Sequence, residues 1–186
     1  MRLVFVCSGN TCRSPLALAA WQIVARDLAG QLEGSSDALL NIEATSAGLC
    51  PTLGAPAARH SQTVAREWGA DLSKHRAGLF MPEHARSDLI LTMTRDQAAI
   101  VRAHFDVGDH QIRLLGSYAP RRQRVAEAAQ FAPLWGEPDE QAEFATHFDN
   151  DILDPYGASL EAYQACAVQI RRCVRELGRV LTGVNQ

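Results

Sequence analysis

The sequence predicts an α/β protein whose parallel β-sheet carries helices on both faces. Short apolar runs rich in β-branched residues alternate along the chain with longer segments whose apolar residues recur at helical spacing. The first apolar run ends in a glycine turn that leads directly into a helical pattern. With 186 residues, 47% of them hydrophobic, the chain is long enough to bury a core, and we expect a single domain over residues 1–186.

Four segments are predicted to form strands. Residues 2–6 are apolar and end at the turn residues 8–10, as is typical of a buried strand that enters a loop. Residues 41–46 and 111–115 are further candidates, and residues 88–93 form the clearest internal strand. Their alternation with helices favours a parallel arrangement.

The segments between these strands predict helices. The first begins at Ser14, which can act as N-cap, with Pro15 at the first helical position. Two more are expected over residues 57–68 and 95–105, the former with Gly69 as its stop signal. A long C-terminal helix is indicated by the helical spacing of Leu160, Tyr163, Ala167, Ile170, Val174, Leu177 and Leu181.

An insert around residues 117–150 does not fit this alternation. It is longer than the usual connection between elements and holds a basic cluster at residues 121–124, followed by an acidic passage over residues 137–151. A solvated loop with charges of both signs is the simpler interpretation. A lid or a binding loop is the alternative.

Composition excludes several classes of protein. A net charge of −3 gives no footprint for non-specific nucleic-acid binding. No apolar run approaches the roughly 20 residues of a membrane span, and the apolar start is too short for a signal peptide. Five cysteines without a secretion signal predict a reduced, cytoplasmic protein in which a special cysteine is catalytic.

The most informative segment is residues 7–15, which place a Cys-x5-Arg pattern between a strand and a helix. The five residues between Cys7 and Arg13 let the loop curl so that its backbone N–H groups point into one concavity. The helix that follows places its positive end there, and Gly9 permits backbone conformations that a side chain would obstruct. Since the guanidinium of Arg13 can bind two phosphate oxygens, this segment predicts a phosphate-binding loop.

The same loop would activate Cys7 as a nucleophile. A helix N-terminus and an arginine both favour the thiolate form of a nearby cysteine. Ser14 can add a hydroxyl hydrogen bond to the sulfur, and Asn10 can hold the shape of the loop with its amide. Attack on phosphorus also needs a proton donor for the leaving group, and Asp154 is the best candidate. Its carboxylate could then activate water against a cysteinyl-phosphate.

Residues 7–15, together with residues 154–156, resemble the low-molecular-weight protein tyrosine phosphatase family. Residues 45–48, 72–77 and 88–93 resemble the family at matching places, so the likeness spans the chain. It implies a three-layer α/β/α fold with a four-stranded parallel sheet and the phosphate loop between the first strand and the first helix. It also implies hydrolysis of phosphorylated protein substrates with neither metal nor cofactor.

The resemblance also implies roles for single residues. Cys7 matches the nucleophile, Arg13 the phosphate-binding arginine and Asp154 the general acid. Ser46 and His75 match residues that support the loop. The positions expected to bind substrate, or a phosphate or sulfate anion, are Ser8, Gly9, Asn10, Thr11, Cys12, Ser14 and Tyr156.

The phosphorylated residue that the site accepts is left open. Phosphotyrosine is the first expectation, because it is the usual substrate of the family and Tyr156 can stack on a phenol ring. Many tyrosine-specific members carry a bulky aliphatic residue where this chain has Thr11, whereas bacterial protein-arginine phosphatases carry threonine. The hydroxyl of Thr11 can orient a guanidinium leaving group, so phosphoarginine is the alternative.

Two other classes share part of the pattern. Arsenate reductases on this fold resemble residues 7–14, but they need further cysteines in relay and usually lack Pro15. A non-catalytic phosphate-binding module would need Arg13 but neither Cys7 nor Asp154. The oligomeric state is open.

The remaining cysteines have simpler interpretations. Cys12 lies inside the loop and is either a small loop residue or the partner of Cys7 in a disulfide that forms under oxidation. Cys166 and Cys173 are seven residues apart on one helix and are expected in the core. Neither the cysteines nor the six histidines show metal-ligand spacing.

Overall fold

A computed structural model describes residues 1–31, 41–119 and 150–183 of the chain. The strands are β1 (Arg2–Cys7), β2 (Glu43–Gly48), β3 (Leu89–Thr92) and β4 (Ile112–Leu114). The helices of the described ranges are α1 (Arg13–Gln31), α2 (Arg59–Glu67), α3 (Pro82–Ala85), α4 (Arg95–His104) and α5 (Leu160–Thr182), and a 3-10 turn covers Leu115–Tyr118.

The four strands form one parallel sheet in the order β2-β1-β3-β4. At its carboxyl edge, Cys7 pairs with Gly48 and Val6 pairs with Thr92. The loops that follow β1, β2 and β3 therefore meet at one edge, where ligands of open α/β sheets bind.

Two hydrophobic cores cover the two faces of the sheet. Successive residues of β1 point to opposite faces, so Leu3 and Phe5 join the core under α1, α2 and α5, while Val4 and Val6 join the core under α3 and α4. This is the predicted three-layer α/β/α fold with a four-stranded parallel sheet.

The long helix α5 also confirms the prediction for its two cysteines. Cys166 and Cys173 are 3% and 0% exposed and lie in the core that α5 shares with α1. Both behave as small apolar residues there.

The prediction that Ser14 caps α1 is wrong. The helix begins at Arg13, and the N–H of Leu16 donates to the carbonyl of Cys12 at 3.4 Å, which places the cap position at Cys12. Ser14 lies inside the first turn, with its hydroxyl directed at the sulfur of Cys7 instead of at backbone N–H groups.

Strand β2 starts and ends two residues later than the predicted range 41–46. Its register explains the shift, because Glu43 pairs with Arg2 and Gly48 pairs with Cys7, so β2 follows β1 over its full length. The predicted insert around residues 117–150 begins in the 3-10 turn. Residues 120–149, which hold its basic cluster and most of its acidic passage, lie outside the described residues.

Candidate active site

The loop between β1 and α1 is anchored on the sheet beneath it. Parallel pairing continues past the strand ends, because the N–H of Leu49 donates to the carbonyl of Cys7 at 3.0 Å and the N–H of Cys50 donates to the carbonyl of Ser8 at 2.9 Å. Cys7 itself is only 2% exposed at the end of β1. The sheet therefore fixes both the nucleophile candidate and the start of the loop.

Two polar groups contact the sulfur of Cys7. The backbone N–H of Asn10 donates to Sγ at 3.3 Å, and the Ser14 hydroxyl oxygen lies 3.1 Å from Sγ. A backbone N–H can only donate, so its contact stabilises negative charge on the sulfur. The structure thus places one loop N–H and the Ser14 hydroxyl at the sulfur of Cys7.

Asn10 is the structural centre of the loop. It has a φ of +52°, in the left-handed region, and is fully buried. Its amide nitrogen donates to the hydroxyls of Ser14 at 2.8 Å and Ser46 at 3.0 Å, and its amide oxygen accepts from the N–H of Gly78 at 2.9 Å. These bonds offset the cost of the backbone conformation and hold the loop in one shape.

His75 supports the loop from the other side of Asn10. Its Nε2 lies 2.7 Å from the carbonyl oxygen of Asn10, and since a carbonyl can only accept, Nε2 carries the proton. Burial lowers the pKa of His75 below its ordinary value; the bond to the Asn10 carbonyl opposes this shift and Arg76 adds to it. The lowered pKa favours the neutral ring, with its one hydrogen on Nε2. The structure therefore brings Ser46 and His75 to the loop through Asn10.

Arg13 and Asp154 meet at the rim of the loop although they are far apart in sequence. Arg13 is 2% exposed, donates from NH1 to the carbonyl of Ile152 at 2.9 Å, and forms an ion pair from NH2 to the carboxylate of Asp154. Its Nε is buried without a hydrogen-bond partner among the described residues, which leaves this donor free for an anion. The Asp154 side chain is 42% exposed and so reaches solvent as well as Arg13.

A cavity of about 410 Å³ opens over the loop. It is lined by Cys7, Ser8, Gly9, Thr11, Cys12, Cys50, Thr52, Ala55, Asp154 and Tyr156. Tyr156 is 76% exposed at its mouth, where the N–H of Tyr156 donates to the Asp154 carboxylate at 3.3 Å. The cavity thus has a polar floor beside Cys7 and one aromatic side chain at its entrance.

Cys12 is buried in a different environment from the one that the loop gives Cys7. Its Sγ lies 3.2 Å from the hydroxyl of Tyr163, and burial raises the pKa of the Cys12 thiol above its ordinary value. The pKa of Tyr163 is raised as well, again chiefly by burial. Both groups are therefore neutral at pH 7 and share a hydrogen bond between protonated partners.

Sequence reasoning missed three residues of the site. The sequence indicates Tyr163 only as part of the C-terminal helix, Gly48 only within residues 45–48 that resemble the family, and Gln97 only as part of a helix, whereas all three contact the phosphate loop. Gln97 is 4% exposed, in line with Ala98 and Val101 on the buried face of α4. A polar residue on an apolar helix face was the signal that could have found it.

No cluster of three or more metal-binding side chains occurs within residues 1–31, 41–119 and 150–183. In those same ranges, no helix is long and apolar enough to cross a membrane.

The fold and the cavity together define an α/β protein with a buried cysteine where its first strand enters the loop. Residues 2–130 match the family model for low molecular weight phosphotyrosine protein phosphatase. This match covers more than half of the chain, and the chain belongs to that family, as the sequence indicated. It is a protein phosphatase of the type that uses a cysteine nucleophile.

The similar proteins include both a protein-arginine phosphatase and protein-tyrosine phosphatases. The chain is 27% identical to the protein-arginine-phosphatase of Bacillus subtilis (strain 168), with 97% of each chain covered. It is 33% identical to low molecular weight protein-tyrosine phosphatase A of Mycobacterium tuberculosis over 65% of this chain and 69% of that one. A crystal structure of the low molecular weight protein tyrosine phosphatase from T. tengcongensis superposes with a TM-score of 0.69 at 27% identity, covering 95% of this chain and 97% of that one.

Proposed function

We propose that the cavity accepts a phosphorylated side chain of a protein substrate and that Cys7 attacks its phosphorus. The loop amides and Arg13 would bind the phosphoryl oxygens, as they would bind a free phosphate or sulfate anion. The sulfur–phosphorus bond forms while the bond from phosphorus to the leaving atom breaks, and Asp154 donates its proton to that atom.

The same carboxylate completes the reaction. Once ionised, Asp154 takes a proton from a water molecule, and the resulting nucleophile attacks the cysteinyl-phosphate, which releases phosphate and the Cys7 thiolate. Arg13 forms an ion pair with Asp154, and a phosphoryl dianion would compete for the guanidinium. The freed carboxyl then lies beside negative charge, which favours the protonated form that the first step requires.

One observation carries this proposal. Cys7, at the bottom of the cavity, has N–H and hydroxyl partners on its sulfur, and Asp154 lies at the same cavity in an ion pair with a buried arginine. A phosphate-binding module without catalysis would need neither a polar surrounding for the sulfur nor a carboxyl beside the arginine.

The test is hydrolysis of an aryl phosphate by the wild type and by Cys7→Ser. We expect the variant to lose roughly four orders of magnitude in kcat, because a serine hydroxyl is far from ionised at neutral pH. Cys50→Ser is the matched control, since it removes a thiol from the wall of the same cavity outside the loop, and it should cause a much smaller change. Hydrolysis that survives Cys7→Ser would refute the proposal.

We further propose phosphoarginine as the preferred substrate. Thr11 and Thr52 give the cavity hydroxyl oxygens that can accept hydrogen bonds from the N–H groups of a guanidinium. The relative aligned over 97% of both chains is a protein-arginine-phosphatase. These points favour the alternative that the sequence placed second.

Phosphotyrosine is the second candidate, supported by the exposed ring of Tyr156 at the entrance and by the family itself. Peptides with either residue distinguish the two through the ratio of their kcat/KM values, measured for the wild type, for Thr11→Ile and for the control Thr52→Val. Preference for phosphoarginine that falls about tenfold in Thr11→Ile alone supports the first candidate. A wild type that prefers phosphotyrosine, with the same ratio in all three proteins, supports the second.

The proposed chemistry also bears on location and partners. A catalytic thiol has to stay reduced, so we propose a cytoplasmic protein whose partners are phosphorylated proteins. None of the five cysteines, all of which lie in the described residues, forms a disulfide in the structure.

A further inference from the structure

Gln97 connects two parts of the site that are distant in sequence. It lies in the first turn of α4, where its own N–H donates to the N-cap hydroxyl of Thr94 at 3.3 Å. Its side-chain oxygen accepts from the N–H of Met93 at 3.0 Å, and its side-chain nitrogen donates to the Ser8 hydroxyl at 3.1 Å. Because the N–H of Met93 can only donate, the orientation of the amide is fixed, with its nitrogen toward the phosphate loop.

The bonding continues from Met93 to the acid. The carbonyl of Met93 accepts from the N–H of Ile152 at 2.7 Å, and the carbonyl of Ile152 accepts from Arg13 NH1 at 2.9 Å. Asp154, two residues after Ile152, pairs with the same guanidinium. A continuous path of hydrogen bonds thus runs from the start of the phosphate loop, through the end of β3, to the segment that carries the acid.

We propose that Gln97 is a positioning residue that sets the distance between the bound phosphoryl group and the carboxyl of Asp154, an inference that rests on the proposed function. The loop that starts at Ser8 decides where the phosphorus lies, and the segment from Ile152 decides where the proton donor lies. A general acid has to be within hydrogen-bond reach of the leaving atom. Gln97 is hydrogen-bonded directly to the loop and, through Met93, to the segment that carries Asp154. It therefore fixes the position of the loop relative to that segment.

Removal of the Gln97 amide should therefore harm proton donation more than phosphate binding. Arg13 and the loop amides keep their own contacts, and the sulfur keeps its partners. The loss depends on the leaving group, because p-nitrophenolate departs with little protonation whereas unsubstituted phenolate needs the proton. A variant that is merely less stable has fewer active molecules and loses both activities by the same factor.

The experiment measures kcat/KM with p-nitrophenyl phosphate and with phenyl phosphate. In Gln97→Ala we expect kcat/KM for phenyl phosphate to fall about tenfold more than kcat/KM for p-nitrophenyl phosphate. Tenfold is less than the full contribution of a general acid, because Asp154 itself is still present. Inhibition by inorganic phosphate should change little. Ser8→Ala should shift the ratio in the same direction by less, and Gln97→Ala/Ser8→Ala should match Gln97→Ala because both act on one contact.

Gln111→Ala is the matched control. Gln111 is a half-buried glutamine whose amide, like that of Gln97, is bonded to backbone: it accepts from the N–H of Gly108 at 2.7 Å and donates to the carbonyl of Ser87 at 3.0 Å. It precedes β4 at the opposite edge of the sheet. Its loss should lower stability and leave the ratio between the two substrates unchanged.

Equal losses on both substrates in Gln97→Ala would overturn the inference. If Gln97→Ala does not fold, the test rests on Ser8→Ala, which should fold because Ser8 is exposed. If Ser8→Ala has the wild-type ratio of kcat/KM values for the two esters, the inference is also overturned. Failure of the proposed function is a different result, in which the wild type hydrolyses neither ester.

Discussion

Gly48 lies directly beneath the phosphate loop, and we predict that Gly48→Ala displaces that loop. A Cβ at this position would lie 2.9 Å from the carbonyl oxygen of Ser8 and 3.0 Å from both the N and the Cβ of Asn10. Two of these three atoms belong to the backbone, so they cannot rotate away. Gly48 cannot retreat either, because its N–H donates to Gly78 at 2.8 Å and its carbonyl accepts from Phe80 at 2.7 Å.

The size of the displacement follows from these distances. Ordinary contacts of a Cβ begin at 3.4 Å, so the contact of 2.9 Å with Ser8 has to open by about 0.5 Å. Extra volume in a packed region costs about 1–3 kcal/mol of the free energy of unfolding. A shift of 1 Å in a catalytic group can cost about 100-fold in rate, so half that shift predicts about a tenfold loss in kcat/KM.

The assay compares Gly48→Ala with Gly78→Ala, which adds a methyl group to the adjacent segment that is hydrogen-bonded to Gly48. A Cβ on Gly78 meets nothing within 4 Å, so this control should keep the stability, the kcat/KM and the phosphate inhibition of the wild type. We would measure urea unfolding, aryl phosphate hydrolysis and inhibition by inorganic phosphate. If Gly48→Ala binds phosphate and turns over substrate as the wild type does, the loop is not held against β2 in the way described.

Three further predictions concern the groups around the loop. Ser14→Ala should lower kcat about 10- to 100-fold, since a hydrogen bond to a charged group is worth about 1.5–3 kcal/mol, and steady-state kinetics would measure it. The pKa of His75 in the folded protein lies below its usual 6.5, so just below that pH the unfolded chain binds more protons than the folded protein does. The free energy of unfolding should therefore rise with pH up to about 6.5. In His75→Gln, urea unfolding should show a smaller rise of this free energy over the same pH range. After peroxide treatment, thiol reductant should restore activity to the wild type but not to Cys12→Ala, because Cys12 would close a disulfide on oxidised Cys7.

Each of these predictions has an opposite outcome. An unchanged kcat in Ser14→Ala would mean that the hydroxyl contact to sulfur does not support catalysis. An equally steep rise of stability with pH in His75→Gln would assign that dependence to other groups. Equal recovery of Cys12→Ala after peroxide would leave Cys12 as a small loop residue held by Tyr163.

The parts of the site that were predictable from sequence are those set by short-range geometry. The spacing of Cys7 and Arg13 between a strand and a helix fixes a loop with converging N–H groups, whatever follows it in the chain. The strand order and the β2 register were not accessible in this way. They depend on pairing along the whole of β1, which moved β2 by two residues from its expected position.

Contacts between distant segments account for most of what the sequence did not reveal. The bond of Gln97 to Ser8 joins residues that are 89 positions apart, and the bond of Cys12 to Tyr163 joins residues 151 positions apart. A single glutamine or tyrosine in a helical pattern has no local feature that distinguishes it from an ordinary helix residue. The prediction that Ser14 caps α1 was wrong for a related reason, because the Ser14 hydroxyl contacts the sulfur of Cys7 and accepts from the side-chain amide of Asn10.

The two cysteines of the loop show how neighbouring positions come to have different chemistry. Cys7 ends a strand at the start of the loop, and its sulfur accepts from the N–H of Asn10 at 3.3 Å. Cys12 sits at the cap of α1 and turns toward α5, where burial raises the pKa of its thiol and Tyr163 is its polar partner. A peroxide should therefore oxidise Cys7 first. Cys12 would act only in the second step, in which its thiol loses its proton, the sulfur attacks the sulfenic acid of Cys7, and the displaced hydroxyl leaves with a proton as water. The order of these two events follows from the polar contacts of the Cys7 sulfur and from the burial of Cys12.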